Sequence, residues 1–200
     1  MAHTLGPVTV RTCLCLITRP SQAGARLAGP GTRSGGSRRA GPDGDQAGTD
    51  REVLLGFKKT GFGAGRWVGL GGHIEDGEQP AEAAAREVQE ESGLIVAAST
   101  LRHLADLTFV FPARPAWDQT ADVYVTADFD GEPAESDELV PRWFPIDALP
   151  FDGMWDDARY WLPVVLAGHR VIAEITFADD CATVAAIQPA LSPAGATVSE

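Results

Sequence analysis

The hydrophobic positions fall into short apolar or alternating runs separated by glycine, proline and acidic residues, a pattern typical of strands joined by turns. The first run, about Val8–Thr18, is rich in apolar and β-branched residues and predicts a buried strand. The same criteria predict further strands at about Glu52–Lys58, Leu101–Phe111, Ala121–Asp128, Val140–Phe144, Val171–Phe177 and Ala182–Ile187. The chain is therefore expected to contain a substantial β-sheet.

Two segments predict helices. Pro80–Ser92 begins with a proline and is followed by Gly93, which is the usual placement of these residues at helix termini. A second helix, about Asp156–Leu166, follows Trp155, and a glycine-dense turn at Gly61–Gly72 precedes the first helix. Strands interrupted by two well separated helices predict the α/β class, with a sandwich built around a mixed sheet.

The length of 200 residues suits one folded domain, which we expect to span residues 1–190. Within it, Pro20–Asp50 consists largely of Gly, Ser, Pro, Arg and Ala and cannot bury enough apolar surface to offset its ordering entropy. We predict that this segment is a disordered insertion, tolerated as a surface loop. Its arginines offer an alternative role in contacting an acidic partner. Residues 191–200 are predicted to form a flexible tail.

The net charge of −12 argues against sequence-independent binding to duplex nucleic acid, which depends on a cationic surface. An anionic small substrate remains compatible with it, because a divalent cation can reverse the field locally. No apolar run approaches the roughly 20 residues needed to cross a bilayer, and Met1–Val10 lacks the pattern of a signal peptide. We expect a monomeric cytoplasmic protein that binds no membrane. Its three cysteines, Cys13, Cys15 and Cys181, are expected to form neither disulfides nor a zinc site.

The first predicted helix carries a cluster of carboxylates. Glu87 lies three residues before Glu90 and four before Glu91, so the three side chains can share one helical face. Like charges at this spacing become useful if a hard cation such as Mg²⁺ sits among the oxygens. The opposite stripe, for packing on the sheet, is predicted to consist of Ala81, Ala84, Ala85 and Val88. The alternative is an exposed helical surface without chemistry.

The residues around this helix favour the chemical interpretation. The spacing is Gly, five residues, Glu, seven residues, Arg-Glu, an aliphatic residue, any residue, Glu-Glu, any residue, Gly and an aliphatic residue. The positions that fulfil it are Gly72, Glu78, Arg86, Glu87, Val88, Glu90, Glu91, Gly93 and Leu94. This pattern is the Nudix box, and the chain therefore resembles the Nudix hydrolase family. The resemblance implies a Nudix α/β/α sandwich with a mixed β-sheet.

Membership of that family would give the box a defined chemistry. The resemblance implies that Mg²⁺, with Mn²⁺ as a substitute, is held by Glu87, Glu90 and Glu91 and assisted by a backbone carbonyl at Gly71 or Gly72. It also implies that Glu138 adds a carboxylate beside the metal. Glu78 and Arg86 would complete the catalytic set, because in Nudix enzymes this pair stabilises the loop and orients the carboxylates.

Further motifs resemble the family's animal oxidised-purine nucleoside triphosphatases, the MutT homologues that hydrolyse 8-oxo-dGTP. These motifs are residues 53–59, 61–67, 135–138, 143–144, 154–155 and 160–161. The resemblance implies that Trp155 stacks on the purine and that Asp157 accepts hydrogen bonds from the base edge. It also implies that Lys58 faces the phosphates or sugar. The remaining substrate contacts that it implies are Thr12, Phe62, Phe109 and Leu139.

Two departures from these relatives concern substrate choice. Val68 stands where they have an asparagine that recognises the purine edge, and Ala158 stands where they have a second aspartate. Losing polar groups weakens discrimination, since hydrogen bonding supplies most of the selectivity of such sites. Asp157 at the start of a helix has a structural alternative as a cap. Trp161 is expected to lie in the core.

Three functions follow from these features. The first is metal-dependent hydrolysis of oxidised purine nucleoside triphosphates to the monophosphate and pyrophosphate, for sanitation of the nucleotide pool. The second is a Nudix pyrophosphatase of broad nucleotide specificity, which Val68 and Ala158 favour. The third is a nucleotide-binding module without catalysis, which the intact set of box carboxylates disfavours.

Overall fold

Strands dominate the described part of the chain, which comprises residues 10–21 and 50–189 of a computed structural model. The helices are α1 (Pro80–Ser92) and α2 (Ala158–Leu166). The strands are β1 (Val10–Pro20), β2 (Arg51–Lys58), β3 (Trp67–Val68), β4 (Arg102–Val110), β5 (Gln119–Thr126), β6 (Leu139–Pro145), β7 (Val171–Phe177) and β8 (Val184–Pro189). The predicted elements are confirmed, with α1 and β7 at the predicted bounds. The short β3 was missed, because it lies within the segment predicted to be a glycine-dense turn.

The strands form a mixed sheet in the order β3-β2-β1-β5-β4-β7-β8, with β6 paired to β2. β1 runs parallel to β5 and antiparallel to β2, and it touches β2 over only three residue pairs near Thr18 and Pro20. β1 then separates from β2, and isolated bridges join it instead to Leu70 and His73 in the segment after β3. This arrangement brings the glycine-rich segment against the first strand.

Two apolar layers cover the two faces of the sheet. One layer includes the fully buried Val88 of α1, together with Cys13 and Cys15 of β1. The other includes Leu162 of α2 with Leu107 of β4. A helix therefore packs on each face, and the predicted α/β/α sandwich is confirmed. Cys13, Cys15 and Cys181 are free thiols buried in these layers.

Helix α1 begins with Pro80 at its first turn and ends at Gly93, whose φ of 73° is the left-handed conformation common after a helix. Its fully buried apolar side chains are Ala83, Ala84 and Val88. The predicted stripe is confirmed in that Ala84 and Val88 are buried and Ala81 and Ala85 pack against the same core layer, but the prediction left out the buried Ala83.

The position of Glu91 is a second correction to the predicted helix. The side chain is 2% exposed and does not lie on an open acidic face. Glu91 follows Ala84 by seven residues, and at 3.6 residues per turn this spacing is nearly two full turns. The carboxylate therefore falls on the buried stripe and needs partners inside the protein.

The ends of the predicted insertion are described, but the rest of it is not. β1 continues to Pro20, and the amide of Ser21 donates a hydrogen bond to the carbonyl of Asp50 at 2.8 Å. The prediction of disorder for the interior of this segment, and that of a tail at 191–200, concern residues outside those described. Neither of the described helices is long and apolar enough to cross a membrane.

Candidate active site

A cavity of about 690 Å³ opens between the sheet and the start of α2, with chemically different ends. Glu87, Glu90 and Lys58 border it at one end, next to the glycine-rich segment. Aromatic side chains, among them Phe62 and Trp155, border it at the other. The cavity therefore joins a charged region to an apolar one within a single space.

Arg86 organises the charged end. Its Nε and Nη2 donate to the two carboxylate oxygens of Glu78 at 2.9 and 3.0 Å, a bidentate pairing. Its Nη1 donates to Glu87 at 2.8 Å and to Glu90 at 3.0 Å, and Nη2 also reaches the carbonyl of His73. The Arg86 hydrogen bond holds the pKa of Glu78 below its usual value. One guanidinium thus fixes three carboxylates and the loop before the helix.

Glu91 has a separate set of partners. Its Oε1 accepts from Lys58 Nζ at 3.1 Å and its Oε2 accepts from the backbone amide of Gly71 at 2.8 Å. Burial raises the pKa of Glu91 and outweighs the opposing effect of Lys58. The same ion pair, with Glu138 at 3.5 Å, raises the pKa of Lys58 despite its burial. Lys58 is therefore a largely buried residue of the cavity wall that is held by two carboxylates.

Gly71 and Gly72 allow two close approaches. A Cβ at Gly71 would lie 2.0 Å from the carbonyl oxygen of Cys13, and its φ of 153° is unusual for other residues. A Cβ at Gly72 would lie 2.6 Å from the carboxylate of Glu87. The carbonyl of Gly72 accepts from the amide of Cys13 at 2.9 Å. Gly71 therefore allows the close approach of two backbone segments, and Gly72 leaves space for the Glu87 carboxylate.

The carboxylates of Glu87, Glu90 and Glu138 border the cavity and are the kind of ligand that a hard divalent cation prefers, whereas the buried Glu91 does not border it. Their present partners are cations of the protein: Arg86 holds Glu87 and Glu90, and Lys58 holds Glu91. Glu138 is largely exposed at the cavity edge. Arg86 contacts only Oε1 of Glu87 and Oε2 of Glu90, so one oxygen of each carboxylate has no hydrogen bond to Arg86 and could bind a cation.

A different group has the tighter convergence in the described residues. His103, Asp106 and Asp122 bring one ligand atom each to within 4.8 Å of one another. They lie on β4 and β5, outside the cavity wall, and Asp106 also pairs with Arg170 at 2.8 Å. These residues therefore do not belong to the site that the box defines.

The aromatic end is built around Phe62. Its ring is stacked on Trp155, with centroids 5.1 Å apart and planes at 18°, and it meets Trp117 edge-on at 5.3 Å. The guanidinium of Arg66 lies 4.3 Å from the Trp155 ring centroid. Phe62 is 42% exposed, whereas Phe111 beneath it is buried. The aromatic end therefore has flat apolar ring surfaces, among which that of Phe62 is exposed.

Phe111 and Trp117 were missed as cavity residues. Phe111 is the last residue of the predicted strand and follows β4 directly. Because it lies two residues after Phe109, the alternation along the strand could have predicted that both rings face the cavity. Trp117 lies in a short 3-10 turn, Pro115–Trp117, between β4 and β5. No periodic pattern covers that turn, and its contact with Phe62 depends on the tertiary fold.

Asp157 lies at the floor of this end, 5% exposed. Its Oδ2 accepts from Trp161 Nε1 at 2.7 Å, and its side chain makes no capping bond to α2. Burial raises the pKa of Asp157 to about 6. Asp156 points elsewhere, to Arg159 and to the amide of Val184. Asp156 therefore does not replace the carboxylate absent at Ala158.

The other predicted contacts divide into two groups. Thr12 and Phe109 border the cavity, as do Val68 and Ala158 at the two departures from the relatives. Leu139 does not border it, which corrects the predicted contact. Its side chain is fully buried against the open face of Gly56, where a Cβ would lie 2.7 Å from it. Leu139 is a core residue because β6 pairs with β2 at this point.

A box of carboxylates on a loop and helix, beside a cavity with an aromatic end in an α/β/α sandwich, defines the class of the protein. The chain belongs to the Nudix family, whose NUDIX domain model matches residues 46–165. It is a Nudix hydrolase, as the spacing of the box predicted. Enzymes of this family typically use a divalent metal.

Individual relatives narrow the comparison. The oxidized purine nucleoside triphosphate hydrolase of Danio rerio is 44% identical over 127 residues, covering 62% of this chain and 78% of the relative. The Mus musculus protein of the same name is 42% identical over 131 residues, covering 64% and 81%. These matches confirm the predicted resemblance to the Nudix family and, within it, to oxidised purine nucleoside triphosphate hydrolases.

Solved structures agree on the fold. A MutT protein from Bacillus halodurans aligns with a TM-score of 0.62 at 18% identity, covering 90% of this chain and 96% of that one. A MutT Nudix hydrolase from Burkholderia pseudomallei aligns with a TM-score of 0.50 at 23% identity, covering 70% and 86%. At these identities the likeness concerns the architecture alone.

Proposed function

We propose that the protein hydrolyses oxidised purine nucleoside triphosphates such as 8-oxo-dGTP to the monophosphate and pyrophosphate, and so removes damaged nucleotides from the pool. The observation that carries the proposal is the single cavity that joins the carboxylates around Arg86 to the aromatic surfaces around Trp155. A nucleotide has the same division, with an anionic polyphosphate at one end and a flat apolar base at the other. The names of the zebrafish and mouse relatives support this substrate class.

The proposed metal is Mg²⁺, with Mn²⁺ as a substitute, held by Glu87, Glu90 and Glu91 near the glycine carbonyls. When bound, such an ion offsets phosphate charge and acidifies a water, which makes attack on phosphorus feasible near neutral pH. Glu87 and Glu90 face the cavity, so their oxygens are available to a ligand. Arg86 orients both carboxylates through one oxygen of each, so the second oxygens would be the ones that hold the ion.

Lys58 and Glu138 complete the charged end in this proposal. The Lys58 ammonium lies between Glu91 and Glu138, where it fixes the buried carboxylate and adds positive potential beside the polyphosphate. Glu138 is 62% exposed at the cavity edge, so it can turn inward to act on a water or on the metal. Gly71 donates its amide to Glu91 and so keeps that carboxylate directed at the box.

The base occupies the aromatic end. Trp155 provides the stacking surface when the base takes the place of the exposed Phe62 ring, which is stacked on Trp155 in the structure. Stacking on an aromatic ring contributes roughly 1–3 kcal/mol for each base without selecting among bases. Asp157 has one oxygen engaged by Trp161, which leaves the other for the base edge. Thr12, Phe62 and Phe109 enclose the rest of the ring system.

The proposal is tested by assaying the purified protein with 8-oxo-dGTP, dGTP and ATP, each with and without Mg²⁺. We expect metal-dependent release of pyrophosphate, with the highest kcat/KM for the oxidised purine. Turnover that is unaffected by EDTA would contradict the metal mechanism. Release of phosphate instead of pyrophosphate would contradict the proposed cleavage position.

The second candidate is a Nudix pyrophosphatase of broad specificity. Val68 and Ala158 both border the cavity, so two positions that could offer hydrogen bonds to a base offer only methyl groups. Equal kcat/KM values for oxidised and normal purines would favour this candidate over nucleotide sanitation. For either candidate we propose a cytoplasmic monomer acting on free nucleotides, which the net charge of −12 supports by disfavouring duplex binding.

A further inference from the structure

The aromatic end of the cavity has few polar groups available to a base. Val68 and Ala158 contribute none, and one oxygen of Asp157 is occupied by Trp161. The hydroxyl of Thr12 donates to the carbonyl of Thr120 at 2.8 Å. The side chain of Gln119 also borders the cavity, and neither the box nor the family resemblance points to it.

The sheet register directs Gln119 towards the cavity. Gln119 is the first residue of β5 and lies opposite Phe109 on β4 and Val10 on β1. Directly paired residues project from the same face of a sheet, and both neighbours border the cavity. Two residues further along β5, Ala121 borders it as well, as the period of two requires. The register and the alternation of β5 therefore place the Gln119 side chain in the cavity wall.

The amide of Gln119 makes no side-chain hydrogen bond to any residue of the described chain, 10–21 and 50–189. It is half-buried, so both its NH₂ donors and its carbonyl acceptor can reach a molecule in the cavity. A glutamine amide presents a donor and an acceptor side by side, which is how it pairs with the edge of a purine. A free amide beside stacking surfaces is suited to contacting a base.

We propose that Gln119 is a specificity-determining residue that contacts the edge of the purine. This inference rests on the proposed function, because it needs the base at the aromatic end. Oxidation at C8 converts the N7 of guanine from an acceptor into an N–H donor, and a glutamine amide matches either form by turning over. Gln119 therefore strengthens binding of both oxidised and normal purines, and it compensates for the groups missing at Val68 and Ala158.

Two substitutions separate this role from a structural one. Gln119→Leu removes the amide at nearly constant volume, and we expect KM for 8-oxo-dGTP and dGTP to rise roughly tenfold with little change in kcat. Gln119→Glu retains an acceptor and loses the donor, so it repels an unprotonated N7 and favours N7–H. We expect the ratio of kcat/KM for 8-oxo-dGTP over dGTP to rise roughly fivefold or more in Gln119→Glu.

The experiment measures kcat and KM for 8-oxo-dGTP, dGTP and dCTP, together with equilibrium binding of each nucleotide followed by tryptophan fluorescence. Gln188→Leu on the exposed strand β8 is the matched control and should leave all values unchanged. Unchanged purine KM and binding in Gln119→Leu, with thermal stability preserved, would overturn the inference. So would an equal loss for dCTP and for the purines.

The outcomes also distinguish this inference from the proposed function. Absence of turnover in the unsubstituted protein would contradict the proposed function, while the binding measurements would still decide whether Gln119 contacts a purine. If Gln119→Leu unfolds, Gln119→Glu still tests the direction of the ratio. A ratio that stays constant in Gln119→Glu, despite intact purine hydrolysis, would contradict the role of Gln119 alone.

Discussion

The Nζ of Lys58 lies 3.1 Å from Oε1 of Glu91, so that β2 and α1 are joined by an ion pair in which the glutamate is 2% exposed. Removing one member of a buried pair is more costly than removing both, because the survivor is left as an uncompensated charge. Loss of either residue is therefore expected to destabilise the fold and to change the position of a carboxylate of the Nudix box.

Lys58→Met is expected to lower the free energy of unfolding by about 3 kcal/mol in EDTA, at the low end for a buried pair because Lys58 keeps some exposure. The double variant Lys58→Met/Glu91→Gln should recover part of that loss. Urea denaturation of both single variants and the double variant measures the coupling. Lys59→Met, which removes a more exposed partner of Glu135, is the control and should cost much less. Strict additivity of the two single changes would contradict the coupling.

Gly71→Ala and Gly72→Ala should fail in different ways. At Gly71 a methyl group meets the backbone of Cys13, so we expect loss of folding or a large fall in thermal stability. At Gly72 it meets the Glu87 side chain, which can rotate away, so we expect a folded protein with roughly 10–100-fold weaker Mn²⁺ binding. Circular dichroism and Mn²⁺ titration separate the two effects. A fully active Gly72→Ala protein would show that Glu87 is not held where the metal requires it.

Arg86→Lys tests whether the guanidinium acts by shape or by charge. Lysine keeps the positive charge but cannot form the bidentate contact with Glu78 while also reaching Glu87 and Glu90. We expect kcat/KM to fall roughly 10–100-fold, with a higher Mg²⁺ requirement and an unchanged KM at saturating metal. Arg159→Lys, which alters an exposed pair with Asp156 outside the box, should retain activity. Near-normal kinetics of Arg86→Lys would show that charge alone suffices.

Asp157→Asn tests whether the buried Asp157 carboxylate at the aromatic end lowers stability as the pH rises. Its pKa rises from 3.8 to about 6 on folding, so the folded state binds the proton more tightly than the unfolded state. This contribution to stability is present at low pH and is lost as the pH rises through about 6. The asparagine has no such loss, so Asp157→Asn should gain up to about 3 kcal/mol relative to the unsubstituted protein between pH 4 and pH 8. Denaturation curves across that range measure the difference, and a difference that does not change with pH would refute the assignment.

The helices, the strands and the Nudix box could be predicted from the sequence, because each depends on the spacing of residues that are close together in the chain. The spacing of seven between Ala84 and Glu91 also implies that Glu91 is buried, since seven steps complete almost two helical turns. The ion pair of Glu91 with Lys58 could not be predicted from local spacing. Lys58 is 33 residues earlier, on another strand, and only the packing of α1 beside β2 brings them together. The same holds for Leu139, whose place in the core follows from its contact with Gly56.

The base end was harder to predict than the box. Trp155 and Asp157 came from resemblance, yet the hydrogen bond between Asp157 and Trp161 lies within one turn of α2 and could have been inferred from their spacing of four. Trp117 carries no periodic signal, and Gln119 becomes a wall residue only through the strand register. Contacts between distant segments therefore account for most of what sequence reasoning missed.

The alternation of side chains along β1 restricts how the nucleobase selectivity of the enzyme can change. Thr12 and Leu14 border the cavity, while the intervening Cys13 also holds the glycine-rich segment through its hydrogen bond to Gly72. A change of backbone in this strand would thus disturb recognition and cleavage together. The connection between β4 and β5, with Trp117 and Gln119, touches only the base end. Divergence of this enzyme towards other nucleobases is expected to accumulate in that connection, where selectivity can vary without disabling the chemistry.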